Sequence, residues 1–426
     1  MHIASLYALF LKSNGVTTDT RSITAGSLFF ALKGPHFNAN EFVGEAIQKG
    51  AICAVIDEPQ YQNEQTFLVP DVLQALQDLA AYHRQQLGLP ILALTGSNGK
   101  TTTKELMHAV LSRKFRTVAT KGNLNNHIGV PLTLLSMDAS TAFGIVEMGA
   151  NHQHEIEALC RIAQPNYGYI TNFGKAHLEG FGGFEGVIKG KSEMYIDLKA
   201  RAAKAFVNAD DAIQMRQSQG LEVLTFGFEA ACQFPLQSVA LSPVIRISVE
   251  GQWIQTQLTG AYNVPNVAAA ITVGRYFGIA LSDISEALAA YVPSNNRSQW
   301  IQKGPHHILL DAYNANPSSM KAALDSFEAL EAPHKIAILG DMFELGAEAD
   351  AEHAALVNRM RQAQMTLYWI GSRFAQHAYA SDQQHFFETR DAFMQAVEVH
   401  QWPASIVLIK GSRGMALEHC LTLFDA

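Results

Sequence analysis

Long apolar runs alternate with helical stretches over most of the chain. ILALTG, FGIVEMGA, YGYITNFG and AKAFVNA have the length and continuity of buried strands, and segments with helical spacing of apolar residues separate them. The same alternation returns later in HILLDAY, KIAILGD, TLYWIG and SIVLIKGS. Strands joined by helices favour mostly parallel sheets with right-handed crossovers. Both stretches are therefore predicted to be α/β units.

The first 85 residues contain shorter elements. A first helix, FFALKG as a strand, a helix over 41–49, AICAVID as a strand and a helix over 72–87 make a small α/β unit. Between residues 233 and 258 the pattern changes to short β-like runs, VIRISVE and WIQTQL, which we expect to form an antiparallel edge of the central sheet. YVPSNNRSQ is polar and contains Pro and Asn, as is typical of a linker.

The fold class predicted from these patterns is α/β with three domains. The expected units are a small N-terminal α/β domain over 1–85, a central phosphate-loop ATPase domain with a mostly parallel sheet over 86–298, and a C-terminal Rossmann-like α/β domain over 299–426. A length of 426 residues is also long for a single core.

Composition and charge narrow the classes of function. Charged residues make up 16% of the chain and apolar residues 48%, as in a compact globular protein. A net charge of -8 argues against nucleic acid or an anionic membrane surface as the main partner. The four cysteines are widely spaced, so neither a disulfide framework nor a zinc cluster is indicated. Without a signal peptide or an apolar run of about 18 residues, a cytoplasmic protein is expected.

The stretch LALTGSNGKTTTKEL predicts a phosphate-binding loop between a strand and a helix. Backbone N–H groups over 96–99 can converge on phosphate oxygens, Lys100 adds a positive charge, and the Thr101 hydroxyl suits Mg²⁺. The usual pattern has a glycine at the position of Leu94, so this loop is one residue shorter. The alternative is a tight turn with an exposed lysine. The loop by itself leaves kinases, transport ATPases and ligases open.

Further motifs distinguish these classes. TGSNGKTT together with GNLNNHIGVPLTLL, VEMGANHQHEI, TNFGKAHLEGFGG, DAYNANPSSM, LGDMFELG and KGSRGM resembles the Mur ligase family, from about Asp19 to the C-terminus. The closest resemblance is to the branch that completes the cytoplasmic peptidoglycan precursor. It implies an ATP-dependent ligase, expected to be a monomer, that joins D-alanyl-D-alanine to UDP-N-acetylmuramoyl-tripeptide through an acyl phosphate. ADP and phosphate would be the other products, and the third tripeptide residue could be diaminopimelate or lysine.

The resemblance also implies nucleotide and metal ligands. Glu147 would share one Mg²⁺ with Thr101, and His177 a second with Lys191, whose amine the family carries as a CO₂-derived carbamate. Lys189 is the competing lysine. Expected catalytic residues are Lys100, Glu147, His177 and Lys191, and expected nucleotide contacts are Gly96, Ser97, Asn98, Gly99, Lys100, Thr101, Thr102, Asn266, Arg297 and Asp311. A helix cap is the alternative for Asn266, and the family usually has a glycine where this chain has Asn296.

Substrate contacts follow from the same resemblance. Thr20, Arg21, Asn38 and Asn40 would hold the UDP end, with a hydrogen-bonded surface loop as the alternative. Asn123, Asn125, Asn126 and His127 would face the sugar or the peptide. The incoming dipeptide would meet Asn314, Asn316, Asp341 and Glu344.

Two rival functions also fit parts of the sequence. Folylpolyglutamate synthase shares the fold, although DAYNANP and LGDMFELG favour the muramoyl ligases. A nucleotide-driven switch or transport ATPase would leave His177 and the third domain without a role. For a ligase, the central and C-terminal domains must close around the reactants, with residues 295–299 as the expected hinge.

Overall fold

Three mainly parallel sheets follow one another along the chain in a computed structural model, which describes residues 3–229, 231–242 and 244–425. This confirms the predicted α/β class and the three-unit organisation. The boundaries placed at 85/86 and 298/299 stay predictions.

The N-terminal unit is a four-stranded parallel sheet with strand order β1-β2-β5-β6. The helix over 72–87 has the predicted bounds, begins at a cap from Asp71 and ends at Gly88 in the left-handed region. The elements are α1 Ile3–Phe10, β1 Val16–Thr17, β2 Leu28–Phe30, β3 Lys33–Gly34, β4 Phe37–Asn38, α2 Val43–Gln48, β5 Cys53–Ile56, β6 Thr66–Leu68 and α3 Val72–Leu87.

The central unit is a seven-stranded sheet in the order β13-β12-β11-β10-β7-β9-β8, parallel throughout. Its elements up to the last strand are β7 Ile91–Thr95, α4 Lys100–Leu111, β8 Thr117–Ala119, α5 Gly129–Leu135, β9 Phe143–Glu147, α6 Glu155–Ala163, β10 Tyr167–Ile170, α7 Leu178–Phe181, α8 Phe184–Ala200, β11 Lys204–Asn208, α9 Ala212–Gln217, β12 Glu222–Gly227 and β13 Phe234–Pro235.

The prediction for residues 233–258 was wrong in its placement. Strands β14 Ser238–Ala240, β15 Arg246–Val249 and β16 Gln252–Gln255 are antiparallel, but they form a separate three-stranded sheet. Their inner residues, including Ile247 and Ile254, are buried in the same apolar cluster as α4 and α10 (Val264–Tyr276). The strands therefore cover helices instead of extending the main sheet. Helix α11 Leu281–Ala290 leads to the linker.

The C-terminal unit is a six-stranded sheet in the order β17-β18-β22-β19-β20-β21. The first strand, part of which we had assigned to the linker, pairs antiparallel with β18, and the remaining pairs are parallel. The elements are β17 Gln299–Lys303, β18 His306–Leu310, α12 Pro317–Glu328, β19 Lys335–Gly340, α13 Ala349–Arg359, β20 Thr366–Ile370, α14 Ser372–Ala375, β21 Gln384–Phe387, α15 Arg390–Ala396 and β22 Ile406–Lys410.

The carboxyl ends of the central and C-terminal sheets supply residues to one cavity of about 1040 Å³. In open parallel sheets, ligands bind outside the carboxyl ends of the strands. The fold therefore concentrates the candidate chemistry between these two units. Within the described residues, no helix combines the length and the apolar character needed to cross a membrane.

Candidate active site

The predicted phosphate loop joins β7 to α4 and forms one wall of the cavity. Gly96 and Gly99 have φ of 138° and 78°, which glycine adopts without strain. A Cβ on Gly96 would lie 2.0 Å from Thr171 Oγ1, so a side chain at that position would also clash. Gly96 therefore lets the loop approach the residue that follows β10, and Gly99 permits the left-handed turn at the start of α4. Of the predicted loop residues, Ser97, Asn98, Gly99, Lys100 and Thr102 line the cavity.

Two predicted metal ligands meet beside this loop. Glu147 ends β9, and its Oε2 accepts a hydrogen bond of 2.9 Å from Thr101 Oγ1. The amide of Asn125 donates to Glu147 Oε1 at 2.8 Å. The pairing of Leu94 with Glu147 in adjacent parallel strands explains this meeting, because it brings the carboxylate level with the loop. The arrangement provides two hard oxygen ligands at the start of a helix.

Lys100 is positioned as a charge at the loop. Its Nζ donates to the carbonyl oxygens of Gly96 at 2.7 Å and Ser97 at 3.2 Å. Desolvation lowers its pKa to about 8, with Arg297 acting in the same direction and Glu147 opposing it. Lys100 and Arg297 both line the cavity, which therefore receives two cations near the expected phosphate position.

The two competing lysines of α8 have opposite surroundings. Lys189 is exposed, whereas Lys191 is 1% exposed and donates to the carbonyl oxygen of Ala150 at 2.9 Å. Burial lowers the pKa of Lys191 well below its usual range, and the charge of Lys100 lowers it further. Lys191 does not line the cavity but lies behind Ala150, which does.

Asn266 lies in the first turn of α10 and not at its cap, where the structure has Asn263. The helix-cap alternative is therefore excluded. The Asn266 side chain accepts from Thr103 Oγ1 at 3.0 Å, donates to Asn263 Oδ1 at 3.0 Å, and lines the cavity. A Cβ on Gly99 would lie 2.6 Å from its Oδ1. Asn266 thus packs directly against the phosphate loop.

The opposite wall contains an ion pair between the half-buried Asp311 and the buried Lys410, and sequence reasoning missed the lysine. Asp311 follows β18 and Lys410 ends β22, and these neighbouring parallel strands bring Lys410 Nζ within 2.6 Å of Asp311 Oδ2. The same ammonium donates to the carbonyl oxygen of Asn314 at 3.3 Å. Both charged groups line the cavity. The sequence signal that could have identified Lys410 is a lysine at the carboxyl end of a buried strand, in KGSRGM.

The linker presents Arg297 to the cavity in an unusual backbone conformation. Asn295, Asn296 and Ser298 all have positive φ, at 60°, 57° and 46°. Asparagine tolerates the left-handed region better than most residues, so Asn296 can adopt a conformation that glycine also permits. The guanidinium of Arg297 lies 3.7 Å from the centre of the Tyr313 ring, and both residues line the cavity.

Ser298 connects the linker to both units. Its N–H donates to Asp311 Oδ1 at 3.1 Å, and its hydroxyl hydrogen-bonds to the Tyr262 hydroxyl at 3.0 Å. Side chains from the segment before α10 and from the residue after β18 therefore hold the linker on both sides.

The central and C-terminal units are in contact around the cavity. His177 Nδ1 bonds to Glu344 Oε2, and this contact holds the pKa of Glu344 below its usual range. Lys175 pairs with Glu352, and its N–H donates to Ser318 Oγ at 2.9 Å. Glu344 thus binds the predicted metal ligand His177 and does not line the cavity.

The predicted substrate residues divide into two groups. Asn123, Asn125, Asn126, His127, Asn314 and Asn316 line the cavity. Asp341 is 3% exposed and does not line the cavity. Its carboxylate accepts hydrogen bonds from the N–H groups of Arg373 and Phe374 at 3.0 Å each. Asp341 therefore caps α14 and presents no free oxygen to a dipeptide, contrary to our expectation.

A second cavity of about 470 Å³ lies in the N-terminal unit. Thr20 and Arg21 line it, as do the Phe37 and Phe42 rings, which stack with centroids 5.4 Å apart. Asn40 is fully buried, accepts from Asp57 N and donates to Asp57 Oδ1, so the prediction that it binds substrate is not supported.

Asn38 also braces its own loop. Its amide donates to Glu58 at 3.2 Å, its Oδ1 accepts from Asn40, and it does not line the second cavity. The hydrogen-bonded loop alternative therefore describes Asn38 and Asn40, while Thr20 and Arg21 remain candidates for substrate binding.

Comparisons with known proteins agree with this geometry. Residues 12–84 match the Mur ligase family catalytic domain, 94–274 the Mur ligase middle domain, and 296–413 the Mur ligase glutamate ligase domain. UDP-N-acetylmuramoyl-tripeptide–D-alanyl-D-alanine ligase of Bacillus subtilis is 35% identical over 95% of this chain and 92% of its own length.

Solved structures give the same result. MurF from Acinetobacter baumannii has a TM-score of 0.88 and 30% identity, covering 100% of this chain and 98% of its own. MurF ligase from Thermotoga maritima, solved in complex with ADP, has a TM-score of 0.86 and 25% identity over 98% of both chains. Folylpolyglutamate synthase of Mycobacterium tuberculosis has a TM-score of 0.64 and 17% identity over 83% of this chain and 95% of its own, which shows a shared fold alone.

Proposed function

This chain belongs to the Mur ligase family, and we propose that it joins D-alanyl-D-alanine to UDP-N-acetylmuramoyl-tripeptide at the cost of ATP. One observation carries the proposal. The phosphate loop, the Thr101–Glu147 pair and the polar residues Asp311 and Asn314 of the C-terminal unit line or border a single cavity between two domains. A nucleotide and two further substrates can therefore meet there.

The reaction requires activation of a carboxylate. A carboxylate oxygen of the tripeptide attacks the γ-phosphorus of ATP, the bond to ADP breaks, and an acyl phosphate forms. The neutral amine of the dipeptide then attacks the acyl carbon, the C–O bond to phosphate breaks, and the nitrogen releases one proton as the amide forms. Lys100 supplies positive charge where negative charge develops on the transferred group. The products are the amide, ADP and phosphate.

Thr101 and Glu147 fit one Mg²⁺ site. Mg²⁺ favours hard oxygen ligands and retains waters and phosphate oxygens, so two protein oxygens at the end of β9 and the start of α4 suffice. Bound there, the ion would neutralise charge on the phosphates. Asn125 holds the other Glu147 oxygen and thus fixes the orientation of the carboxylate. His177 and Lys191 are the proposed ligands of a second ion.

Lys191 is the proposed carbamate. A neutral lysine amine adds to CO₂, forms an N–C bond and releases a proton, which gives an anionic oxygen ligand. Its burial and lowered pKa favour the neutral amine that this reaction needs, whereas the exposed Lys189 has no such environment. Carbon-13 NMR in ¹³CO₂-containing buffer should show a carbamate signal that Lys191→Ala lacks and Lys189→Ala keeps.

Activity tests the same assignment. Lys191→Ala should lose most activity and regain part of it with acetate or formate, because a free carboxylate can replace the missing ligand. Lys189→Ala should stay close to the wild type. A fully active Lys191→Ala enzyme would contradict the carbamate.

A coupled phosphate-release assay tests the overall function. D-Ala-D-Ala should trigger release with UDP-muramoyl-tripeptides that end in diaminopimelate or in lysine, and comparison of the two identifies the natural third residue. Substrate labelled with ¹⁸O in the carboxylate should transfer one label to phosphate. Formation of AMP and pyrophosphate, or thermal stabilisation by a folate in place of the tripeptide, would contradict the proposal.

A further inference from the structure

Two asparagines from different domains bond to each other at the wall of the main cavity. Asn98 belongs to the phosphate loop, and Asn316 precedes α12 of the C-terminal unit. Asn316 Nδ2 donates to Asn98 Oδ1 at 2.7 Å, and Asn98 Nδ2 lies 3.5 Å from Asn316 Oδ1. We call this contact the amide pair. It joins the proposed nucleotide site directly to the proposed dipeptide site.

Other bonds fix the orientation of both partners. Asn316 Oδ1 accepts from the N–H of Ser319 at 2.9 Å in a capping box, so its NH₂ group must face Asn98. The Asn98 N–H donates to Asn172 Oδ1 at 3.1 Å, and the Asn98 carbonyl accepts from Thr171 Oγ1 at 2.6 Å. The amide pair therefore depends on the positions of the phosphate loop and of the start of α12.

Gly174 permits the close approach of these two segments. A Cβ at this position would lie 2.9 Å from Asn98 Nδ2 and 3.2 Å from Ser318 Cβ. Gly174 is not among the residues with positive φ, so an alanine there strains no backbone dihedral. Gly174→Ala would thus push the Asn98 amide away without removing any polar group.

We propose that Asn98 and Asn316 are positioning residues that couple the binding of nucleotide to the binding of dipeptide. Phosphates bound to the loop would restrain Asn98, and the restrained amide would hold Asn316 and the start of α12 against the dipeptide. Coupling between two ligands is reciprocal, so bound dipeptide must tighten nucleotide binding by the same factor. This inference rests on the proposed function and adds a residue-level connection between its two sites.

Isothermal calorimetry tests the coupling in the full-length enzyme holding UDP-muramoyl-tripeptide. The Kd of a non-hydrolysable ATP analogue is measured without and with saturating D-Ala-D-Ala. In the wild type the ratio of the two values should be at least about fivefold. In Asn98→Ala and in Gly174→Ala it should fall towards one, because one hydrogen bond accounts for a factor of about this size.

Asn316 needs a variant that preserves the helix cap. Asn316→Ser keeps an oxygen that can accept from Ser319 N–H but cannot reach Asn98, so the fold is retained and the ratio should still fall. The double variant Asn98→Ala with Asn316→Ser should resemble either single variant, because both remove the same contact.

Lys175→Met is the matched control. It removes the pair with Glu352, a contact across the same interface that does not involve the phosphate loop. Its ratio should equal that of the wild type. A ratio of one in the wild type, unchanged ratios in the amide-pair variants, or an equal loss in Lys175→Met would each overturn the inference.

Amide formation by the wild-type enzyme is measured first. Absence of product refutes the proposed function and this inference with it. Normal product formation with unchanged ratios in the variants refutes only the amide-pair coupling.

Discussion

The two walls of the main cavity are built by different means. On the central wall, the loop over 96–100 is held by hydrogen bonds of its own backbone groups, and the bonds of Thr101 and Asn125 to Glu147 stay within one domain. On the C-terminal wall, pairs of side chains define the surface, namely Asp311 with Lys410 and Arg297 with Tyr313.

The difference shows how the side chains and backbone groups of each wall are held in position. A loop held between a strand and a helix needs glycines and a few threonines close together in sequence. A wall of paired side chains needs residues that are far apart, since Asp311 and Lys410 are separated by 99 positions. Substitutions on the central wall should therefore lower kcat. Substitutions on the C-terminal wall should lower the free energy of unfolding and the affinity for ATP.

The largest effect is expected on the central wall. Lys100→Met should lower kcat about 1000-fold, because it removes a preorganised charge beside the transferred phosphoryl group. Steady-state phosphate release measures the loss. Lys114→Met changes an exposed lysine that bonds to Phe277 and Gly278 carbonyls, and it should stay within about twofold of the wild type. Equal losses in both variants would show that the loss of activity does not come from the charge of Lys100 at the phosphate loop.

The next effect concerns the C-terminal ion pair. Lys410→Met leaves the carboxylate of Asp311 without its cation and should reduce the free energy of unfolding by about 3 kcal/mol. Urea denaturation followed by circular dichroism measures it. The double variant Lys410→Met with Asp311→Asn should recover much of this loss, because no unpaired charge remains. If the midpoint urea concentration for unfolding of Lys410→Met equals that of the wild type, the ion pair does not stabilise this wall.

A smaller effect is expected from the stacked arginine. Tyr313→Leu removes the ring under the Arg297 guanidinium and should raise the KM for ATP roughly tenfold, which corresponds to about 1.4 kcal/mol. Tyr313→Phe keeps the ring and should retain the wild-type KM. Equal KM values for the leucine and phenylalanine variants would show that the ring does not position Arg297.

The smallest effect is expected in the linker. Asn296→Ala should cost about 1 kcal/mol of stability, since alanine tolerates the left-handed region poorly, whereas Asn296→Gly should be nearly neutral. Thermal unfolding of the two variants in parallel measures the difference. Equal melting temperatures would mean that the left-handed conformation at position 296 does not constrain the linker.

The sequence predicted the contiguous features well. Periodicity located α3 with its bounds, and one 15-residue motif identified the phosphate loop with its strand and helix. These features depend on local hydrogen bonding and on apolar spacing. Resemblance to the Mur ligases supplied Glu147, whose meeting with Thr101 follows from the register of β7 and β9.

The errors arose where tertiary contacts decide. Strands over 238–255 could cover helices or extend a sheet, and their alternation fits both arrangements. Asn40 and Asp341 are polar residues in candidate motifs, but each is held by groups remote in sequence, Asn40 by Asp57 and Asp341 by the N–H groups of Arg373 and Phe374. Lys410 was not selected because a lone strand-end lysine has no partner until the neighbouring strand is known.

Every described sheet draws its strands from one continuous stretch of chain, namely 16–68, 91–235, 238–255 and 299–410, and the small hairpin of β3 and β4 lies within the first stretch. A chain emerging from the ribosome can therefore complete each sheet before the next is synthesised, and domains generally fold as units in that order. Tyr262 and Asn263 are synthesised before Ser298, whose hydroxyl hydrogen-bonds to both of their side chains. A chain that ends at residue 298 should consequently resist protease over most of residues 91–290 once it has left the ribosome.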